Sequence, residues 1–139
     1  MKIFLDTNFL LRLFLEDNNQ QFEDCHKLIS QIEAGQFSVY TSGIVFLEMS
    51  YVLKSVYKIP YQEIIKILDS TFEIRGITIV EKTNTKQALA NYKKYGIKFT
   101  DCLIASQLSK DTILITFDEE FSKIKEIVVK KPQQILDSN

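Results

Sequence analysis

Short apolar runs alternate with longer helical patterns along this chain. Five runs have the length and composition of β-strands, namely "KIFL", "FSVYT", "GITIV", "TILITF" and "EIVVK". Helical stretches separate all of them except the last two, and strands joined through helices pair in parallel rather than as hairpins. The alternation therefore predicts an α/β fold, with a mainly parallel central sheet of four or five strands flanked by helices on both faces.

The helical stretches have recognisable ends. Gly35 and Gly96 stop two of them, and Pro60 follows a third. The segment "GIVFLEMSYVLKSVY" is apolar almost all round and predicts a deeply buried helix, whereas "YQEIIKILDSTFE" is amphipathic. We expect helices over residues 8–16, 20–34, 43–57, 61–73 and 84–95, and one more beginning near Thr100.

The 139 residues fit one domain, because a chain of this size buries one core and rarely two. Asp6 and Arg12 interrupt the apolar N-terminal run, and no stretch is apolar over about 18 residues, so neither export nor a membrane span is expected. Cys25 and Cys102 match no metal-ligand spacing and are predicted to be reduced, buried thiols. These features indicate a single cytoplasmic domain over residues 1–139 with no membrane contact.

Three aspartates are expected at one edge of the predicted sheet. Asp6 follows the first strand, Asp118 follows "TILITF", and Asp101 opens a helix. Ligands of open parallel sheets bind beyond the carboxyl ends of the strands, which is where these side chains would lie. Helix capping is the alternative for each aspartate, because a carboxylate also accepts hydrogen bonds from the free N–H groups of a first turn.

Glu48 is harder to explain by capping, because it stands inside a helix among apolar neighbours such as Phe46, Leu47 and Met49. A buried, ionised carboxylate without a partner costs several kcal/mol. Glu48 should therefore be neutral, paired with a cation, or directed at a metal. An ion pair with Arg12 is one interpretation, and convergence with the three aspartates is the one we favour.

Convergence of the four acids would call for a cation. Two like charges about 4 Å apart repel by roughly 4 kcal/mol at an effective dielectric near 20, so four carboxylates would not all stay ionised alone. Oxygen ligands favour Mg²⁺ or Mn²⁺ over zinc, and the lone His26 has no companion ligand. A carboxylate-bound Mg²⁺ most often serves phosphate chemistry.

Four segments resemble the motifs of the PIN-domain nucleases, in that family's order and spacing. These are "FLDTNFLL", "VFLEMSYVL", "FTDCLIAS" and "LITFDEEFSKI", which together span residues 3–124. Any one of them alone would be weak, because Thr116 and Glu119, for example, also fit a capping box. The resemblance implies a single PIN-like domain with Mg²⁺-dependent endoribonuclease activity.

Carried over residue by residue, the family's acidic metal site falls on Asp6, Glu48, Asp101 and Asp118. These four would be both the catalytic residues and the metal ligands, with Mg²⁺ as cofactor and Mn²⁺ possible. Asn8 and Ser42 match polar positions near that site and would hold water or substrate phosphate.

Among small PIN domains the resemblance is greatest to VapC-type toxins, which implies an RNA substrate, a homodimer and a protein antitoxin as partner. The helices "NFLLRLFLE" and "YQEIIKILDSTFEI" also carry more large apolar side chains than one small sheet needs. We therefore expect an apolar patch that contacts another chain, although burial in the core would account for the same residues.

Lys93, Lys94 and Lys98 are candidate RNA contacts, because they alternate with aromatic residues in "NYKKYGIKF" just before Asp101. Lysines at a helix C-terminus also complement the helix dipole, and that interpretation is slightly favoured. The formal net charge of −1 argues against tight binding of nucleic acid by global electrostatics, which normally needs a broad basic face, so any RNA would be held locally.

Three alternative functions remain at this level. A PIN domain of this size would also suit RNA processing, or a non-catalytic RNA- or protein-binding module, although such a module need not keep all four acids. A haloacid dehalogenase-type phosphatase also has an aspartate after its first strand, but it needs a second acid where this chain has Asn8.

Overall fold

The computed structural model describes residues 1–138, which form one α/β domain around a five-stranded sheet. The strands are β1 (Lys2–Leu5), β2 (Ser38–Ser42), β3 (Ile77–Val80), β4 (Thr112–Ile115) and β5 (Val128–Lys130). All four pairings are parallel, in the order β3-β2-β1-β4-β5. The predicted fold class is confirmed, including the fifth strand.

The strand order reverses at β1. The chain proceeds from β1 through β2 to β3 on one side, then returns to add β4 and β5 on the other. Because parallel crossovers are right-handed, the two halves place their helices on opposite faces of the sheet. A crevice opens at such a reversal, outside the carboxyl ends of the two central strands, which here are β1 and β4.

Seven α-helices and one 3₁₀ helix are described within residues 1–138. They are α1 (Thr7–Arg12), α2 (Asn19–Glu33), α3 (Gly43–Ser55), α4 (Tyr61–Phe72), α5 (Thr85–Tyr95), α6 (Phe99–Ala105) and α7 (Pro132–Leu136), with the 3₁₀ helix over Glu119–Lys123. Of these, α2, α3, α4 and α5 lie close to their predicted bounds. Gly96 ends α5 at φ +65°, a left-handed conformation that a residue without Cβ adopts freely.

The first helix is shorter than predicted, because α1 ends at Arg12 rather than near residue 16. Leu13 is also buried, so the hydrophobic period continues past the end of the helix and does not mark it. Beyond this turn the Asn18 side chain accepts a hydrogen bond from the Gln21 N–H and begins α2. The C-terminal α7 was not predicted at all.

The prediction that α3 is deeply buried was wrong. Met49 and Leu53 are fully buried, but Leu47 and Tyr51 on the other side of the helix are 66% and 68% exposed. An apolar sequence does not show which face a helix presents to the sheet. The apolar patch is therefore on α3 and α4, where Phe72 is also exposed, while α1 lies in the core.

The two cysteines are buried and not bonded to each other. Among residues 1–138, the helices are all too short or too polar to cross a bilayer.

Candidate active site

The candidate site lies at the crevice between the carboxyl ends of β1 and β4. Asp6 is the first residue after β1, and its N–H donates to the carbonyl of Ile115 at the end of β4 (3.1 Å). Thr41, at the end of β2, donates its hydroxyl to the Leu5 carbonyl (2.9 Å) and fixes the adjacent strand. The backbone that carries Asp6 is thus held on both sides.

Asp6 is 2% exposed and does not cap α1, although it precedes that helix. Its Oδ2 accepts a 2.7 Å hydrogen bond from the Thr116 hydroxyl, whereas its buried Oδ1 has no partner within residues 1–138. Burial raises the pKa of Asp6 to about 7 against the lowering effects of the Thr116 hydroxyl and the Thr7 N–H, and the charges of Glu48 and Asp118 raise it further. Capping therefore does not account for Asp6.

Thr116 and Asn8 organise the end of β4. Asn8 Oδ1 lies 3.0 Å from Thr116 Oγ1 and accepts from the Phe117 N–H (3.1 Å). Thr116 Oγ1 also accepts from the Asp118 N–H (3.0 Å). Since the Thr116 hydroxyl has only one hydrogen, it donates mainly to Asp6 Oδ2, which is nearer than Asn8 Oδ1. This network sets the backbone that leads into Asp118.

Asp118 both caps a helix and belongs to the acidic group. Its Oδ1 accepts from the Glu120 N–H (3.0 Å) at the start of the 3₁₀ helix. The cap is therefore Asp118, and Thr116 does not form the capping box with Glu119 that the sequence also allowed. Asp118 nevertheless lines the same cleft as Asp6 and its charge raises the Asp6 pKa.

Asp101 is the third residue of α6 and is 2% exposed. Lys98, rather than Asp101, occupies the cap position of this helix. Burial raises the pKa of Asp101 to about 7, Lys98 opposes this shift, and the charges of Glu48, Asp6 and Asp118 reinforce it. The buried Oδ2 of Asp101 has no hydrogen-bond partner among residues 1–138.

Glu48 pairs with Lys98 and not with Arg12, as one interpretation of the sequence had suggested. Its Oε2 lies 3.8 Å from Lys98 Nζ, and the two side chains are 13% and 68% exposed. Burial lowers the pKa of Lys98, but the charges of Asp101, Glu48, Asp118 and Asp6 outweigh it and raise the pKa overall. Lys98 thus faces all four acids, which the fold brings together.

The other residues proposed for substrate contact make interactions of their own. Ser42 is fully buried, and its hydroxyl accepts from the Val45 N–H (3.4 Å) to cap α3. Lys94 Nζ lies 3.4 Å from Glu126 Oε1, and Lys93 is exposed in the last turn of α5. Of the three lysines, Lys98 alone has its pKa shifted by the four acids within residues 1–138.

A cleft of about 180 Å³ runs between α1 and α3, with Asp6, Glu48 and Asp118 in its wall. Arg12 also lines it, a role that the sequence analysis missed. The available signal was its position, four residues after Asn8 and so on the same face of α1. The role of Thr116 was missed as well, although Thr116 directly follows β4 and precedes Asp118 by two residues.

The donor set of the site suits a hard divalent cation. Two buried carboxylate oxygens, Asp6 Oδ1 and Asp101 Oδ2, have no partner within residues 1–138, and neighbouring acids raise the pKa of each aspartate. Oxygen ligands that repel one another fit Mg²⁺ or Mn²⁺. Within residues 1–138, no group of three or more acidic, imidazole or thiol side chains forms an assembled metal-binding cluster.

Sequence comparison gives a match to one protein family. The sequence profile of the PIN domain matches residues 3–127. No curated protein matches the chain significantly in sequence.

Solved structures share the fold at low identity. The structure of VapBC2 from Rickettsia felis bound to a promoter DNA fragment contains a chain 20% identical, covering 94% of this chain and 98% of that one, with a TM-score of 0.67. A chain of VapBC-1 from nontypeable Haemophilus influenzae is 21% identical, with coverage of 96% of this chain and 99% of that one and a TM-score of 0.62. A chain of FitAcB from Neisseria gonorrhoeae is 20% identical, with coverage of 94% of this chain and 98% of that one and a TM-score of 0.64.

Proposed function

Because the chain belongs to the PIN domain family, which is nuclease-type, we propose that it is a metal-dependent endoribonuclease. It hydrolyses phosphodiester bonds of RNA, with Mg²⁺ as the cofactor and Mn²⁺ as a substitute. Asp6, Glu48, Asp101 and Asp118 are its metal ligands and catalytic residues.

The observation that carries this proposal is the pair of unpartnered oxygens on two buried aspartates. Asp6 Oδ1 and Asp101 Oδ2 are each inaccessible and lack a hydrogen-bond donor within residues 1–138. Buried polar atoms normally have a partner, and leaving one without costs about 1 to 3 kcal/mol. A cation bound between these side chains would satisfy both atoms at once.

The surrounding residues would keep the acids ready for that ion. Thr116 fixes one oxygen of Asp6, which leaves the other free, and Asn8 holds the backbone before Asp118 in place. Lys98 balances part of the negative charge and, being 68% exposed, can move aside for a phosphate. A divalent ion supplies positive charge beside a phosphoryl oxygen and makes a nearby water more acidic.

The test is cleavage of a defined RNA pool by the full chain, with and without Mg²⁺, followed by mapping of the product ends. Asp6→Asn and Asp101→Asn should each abolish cleavage while the protein stays folded, because each loses a charged ligand and little volume. Asp24→Asn is the matched control, since Asp24 is also buried but lies on α2, hydrogen-bonded to Gln20. Unchanged cleavage in either site variant would remove that residue from the site.

A small phosphomonoester serves as the second substrate. Turnover of the monoester without RNA cleavage would indicate the phosphatase alternative, which the family match disfavours. RNA binding without cleavage of any RNA would indicate the non-catalytic module instead.

The biological role that we propose is that of the toxin in a toxin–antitoxin pair, acting in the cytoplasm. The support is the likeness to chains of VapBC structures, together with exposed apolar residues of α3 beside the cleft. Expression of the chain in growing bacteria should then arrest growth, and expression of Asp6→Asn should not. Normal growth with active enzyme present would favour a role in RNA processing.

A further inference from the structure

Arg12 is the second cation of the cleft and has no part in the proposed metal site. It lies at the C-terminal end of α1, four residues and so about 6 Å along the helix from Asn8. The facing wall is a stripe of α3 that begins at Glu48 and continues through Val52. The cleft thus contains Arg12 together with three of the four acids, Asp6, Glu48 and Asp118.

The Arg12 side chain is oriented by three hydrogen bonds. Its Nε donates to Gln21 Oε1 (2.9 Å), and its Nη1 donates to Asp17 Oδ1 (2.9 Å) and to the Tyr57 hydroxyl (3.3 Å). A guanidinium has five N–H groups, and the two on Nη2 form no hydrogen bond within residues 1–138. One side of the guanidinium is fixed and the other side is free.

The fixed side does not neutralise the charge. Asp17 is 51% exposed, so water screens its ion pair with Arg12, which is 21% exposed itself. The two N–H groups on Nη2 remain able to donate to phosphate oxygens, which arginine binds readily. A purely structural arginine would also bridge α1 and α2, but it would not need to line the cleft that contains Asp6 and Asp118.

We propose that Arg12 is a phosphate subsite, which binds the RNA backbone in the cleft while the scissile phosphate lies at the carboxylates. This inference rests on the proposed function, because the ligand is the same RNA. Arg12 is a positioning residue in this scheme. It fixes which phosphate of the strand reaches Asp6 and its neighbours, at a distance of the order of one nucleotide.

Equilibrium binding of a fluorescein-labelled single-stranded RNA tests the subsite as a function of salt. All proteins carry Asp101→Asn, so that the RNA is not cut, and Mg²⁺ is present. The variants are Arg12→Gln and Arg12→Lys, which lose the same guanidinium contacts but differ in charge. Arg75→Gln is the control, because Arg75 is exposed and precedes β3, an outer strand of the sheet that is not next to β1 or β4.

Arg12→Gln should bind RNA about tenfold more weakly, the size expected for one charge-assisted hydrogen bond. The slope of log K against log salt should also fall by about 0.7, because one phosphate contact is lost. Arg12→Lys should keep the slope, and Arg75→Gln should match the Asp101→Asn protein in both quantities. A structural role would change the melting temperature of both Arg12 variants but not the slope.

The subsite is overturned if the Gln and Lys variants behave alike, or if neither differs from the Asp101→Asn protein. It is also overturned if Arg12→Gln weakens binding of polyglutamate, the probe for an acidic protein partner, without weakening binding of RNA. These results would leave the proposed nuclease in place if the parent still cleaves RNA. If the parent does not cleave RNA, and neither the parent nor the Asp101→Asn protein binds it, both the subsite and the proposed function are overturned.

Discussion

Thr116 Oγ1 lies 2.7 Å from Asp6 Oδ2 and joins the ends of β4 and β1 across 110 residues of sequence. The same hydroxyl oxygen accepts from the Asp118 N–H, so one side chain positions two of the four acids. Thr116 is 1% exposed, so water does not take the place of its hydroxyl in these hydrogen bonds. The geometry of the acidic group depends on this threonine as much as on the carboxylates.

We expect Thr116→Val to lose most of its RNA cleavage while remaining folded. The valine has a similar shape but cannot donate to Asp6 or accept from Asp118, and loss of a buried hydrogen bond costs about 1 to 3 kcal/mol. Thr71→Val is the control, because Thr71 is similarly buried and donates its hydroxyl to the Ile67 carbonyl within α4, outside the acidic group. Both variants should lose similar stability in chemical denaturation, and equal loss of cleavage in both would contradict the role of Thr116.

The central features of this site could be predicted because they depend on local sequence. An acid that closely follows a buried strand lies at the carboxyl edge of a parallel sheet. This predicts the place of Asp6, directly after β1, and of Asp118, shortly after β4, without tertiary information. Gly96 ends α5 by its own conformational freedom. For Glu48 and Asp101, which are on helices, the strand pattern was not enough, and their place in the site came from the family resemblance. The catalytic role of the four acids stays a prediction.

Other features depend on contacts between segments distant in sequence. Nothing in the sequence near Glu48 indicates that its cation is Lys98, 50 positions away on the approach to α6, because Arg12 was an equally reasonable partner. The exposed face of α3 is likewise set by how that helix lies on the sheet. Tyr51 could not be assigned to solvent from an apolar sequence alone.

The protonated Asp6 side chain should contribute more stability to the metal-free protein at acidic than at neutral pH. The pKa of Asp6 rises from 3.8 to about 7 on folding, so the folded state binds the proton more tightly. That contribution is complete below the unfolded pKa and is lost as the pH rises through about 7. Between about pH 5 and about pH 8, the parent should lose on the order of 2 kcal/mol more than Asp6→Asn. Urea denaturation in metal-stripped buffer measures this difference, and parallel pH profiles for the two proteins would contradict it.

Mg²⁺ should raise the melting temperature of the metal-free protein. An ion that binds only the folded state at 100 times its dissociation constant contributes about 2.7 kcal/mol, which corresponds to a rise of roughly 8 to 10 °C for a domain of this size. Potassium chloride at equal ionic strength is the control for screening. Asp101→Asn should lose most of the shift, and a parent whose melting temperature ignores Mg²⁺ would speak against a carboxylate metal site.

The exposed face of α3 should mediate self-association. Leu47 and Tyr51 are both more than half exposed and lie one turn apart, and burying them against a second copy would remove apolar surface from water. The parent should sediment as a dimer at micromolar concentration, and Leu47→Lys should sediment as a monomer. Val128→Lys is the control, because Val128 is an exposed apolar residue on the edge strand β5. A monomeric parent would defeat the prediction.

Glu48→Gln should be inactive with Mg²⁺ and yet at least as stable as the parent without it. The charge of Glu48 raises the pKa of both Asp6 and Asp101, so a neutral isostere removes repulsion from the metal-free site. The opposing loss is small, because the Lys98 partner is 68% exposed at 3.8 Å and such pairs contribute about 0 to 1 kcal/mol.

The sign of the Glu48→Gln effect should reverse when Mg²⁺ is added, since the parent then gains binding free energy that the variant largely lacks. Glu63→Gln is the control for removing a helical glutamate from a lysine pair, because Glu63 Oε1 lies 3.3 Å from Lys66 Nζ in an exposed pair on α4. This variant should change neither the activity nor the stability. Denaturation of both variants in EDTA and in Mg²⁺ distinguishes the roles. If Glu48 were instead a structural ion-pair partner, its glutamine variant would be less stable than the parent in EDTA, because the Lys98 charge would lose its closest carboxylate.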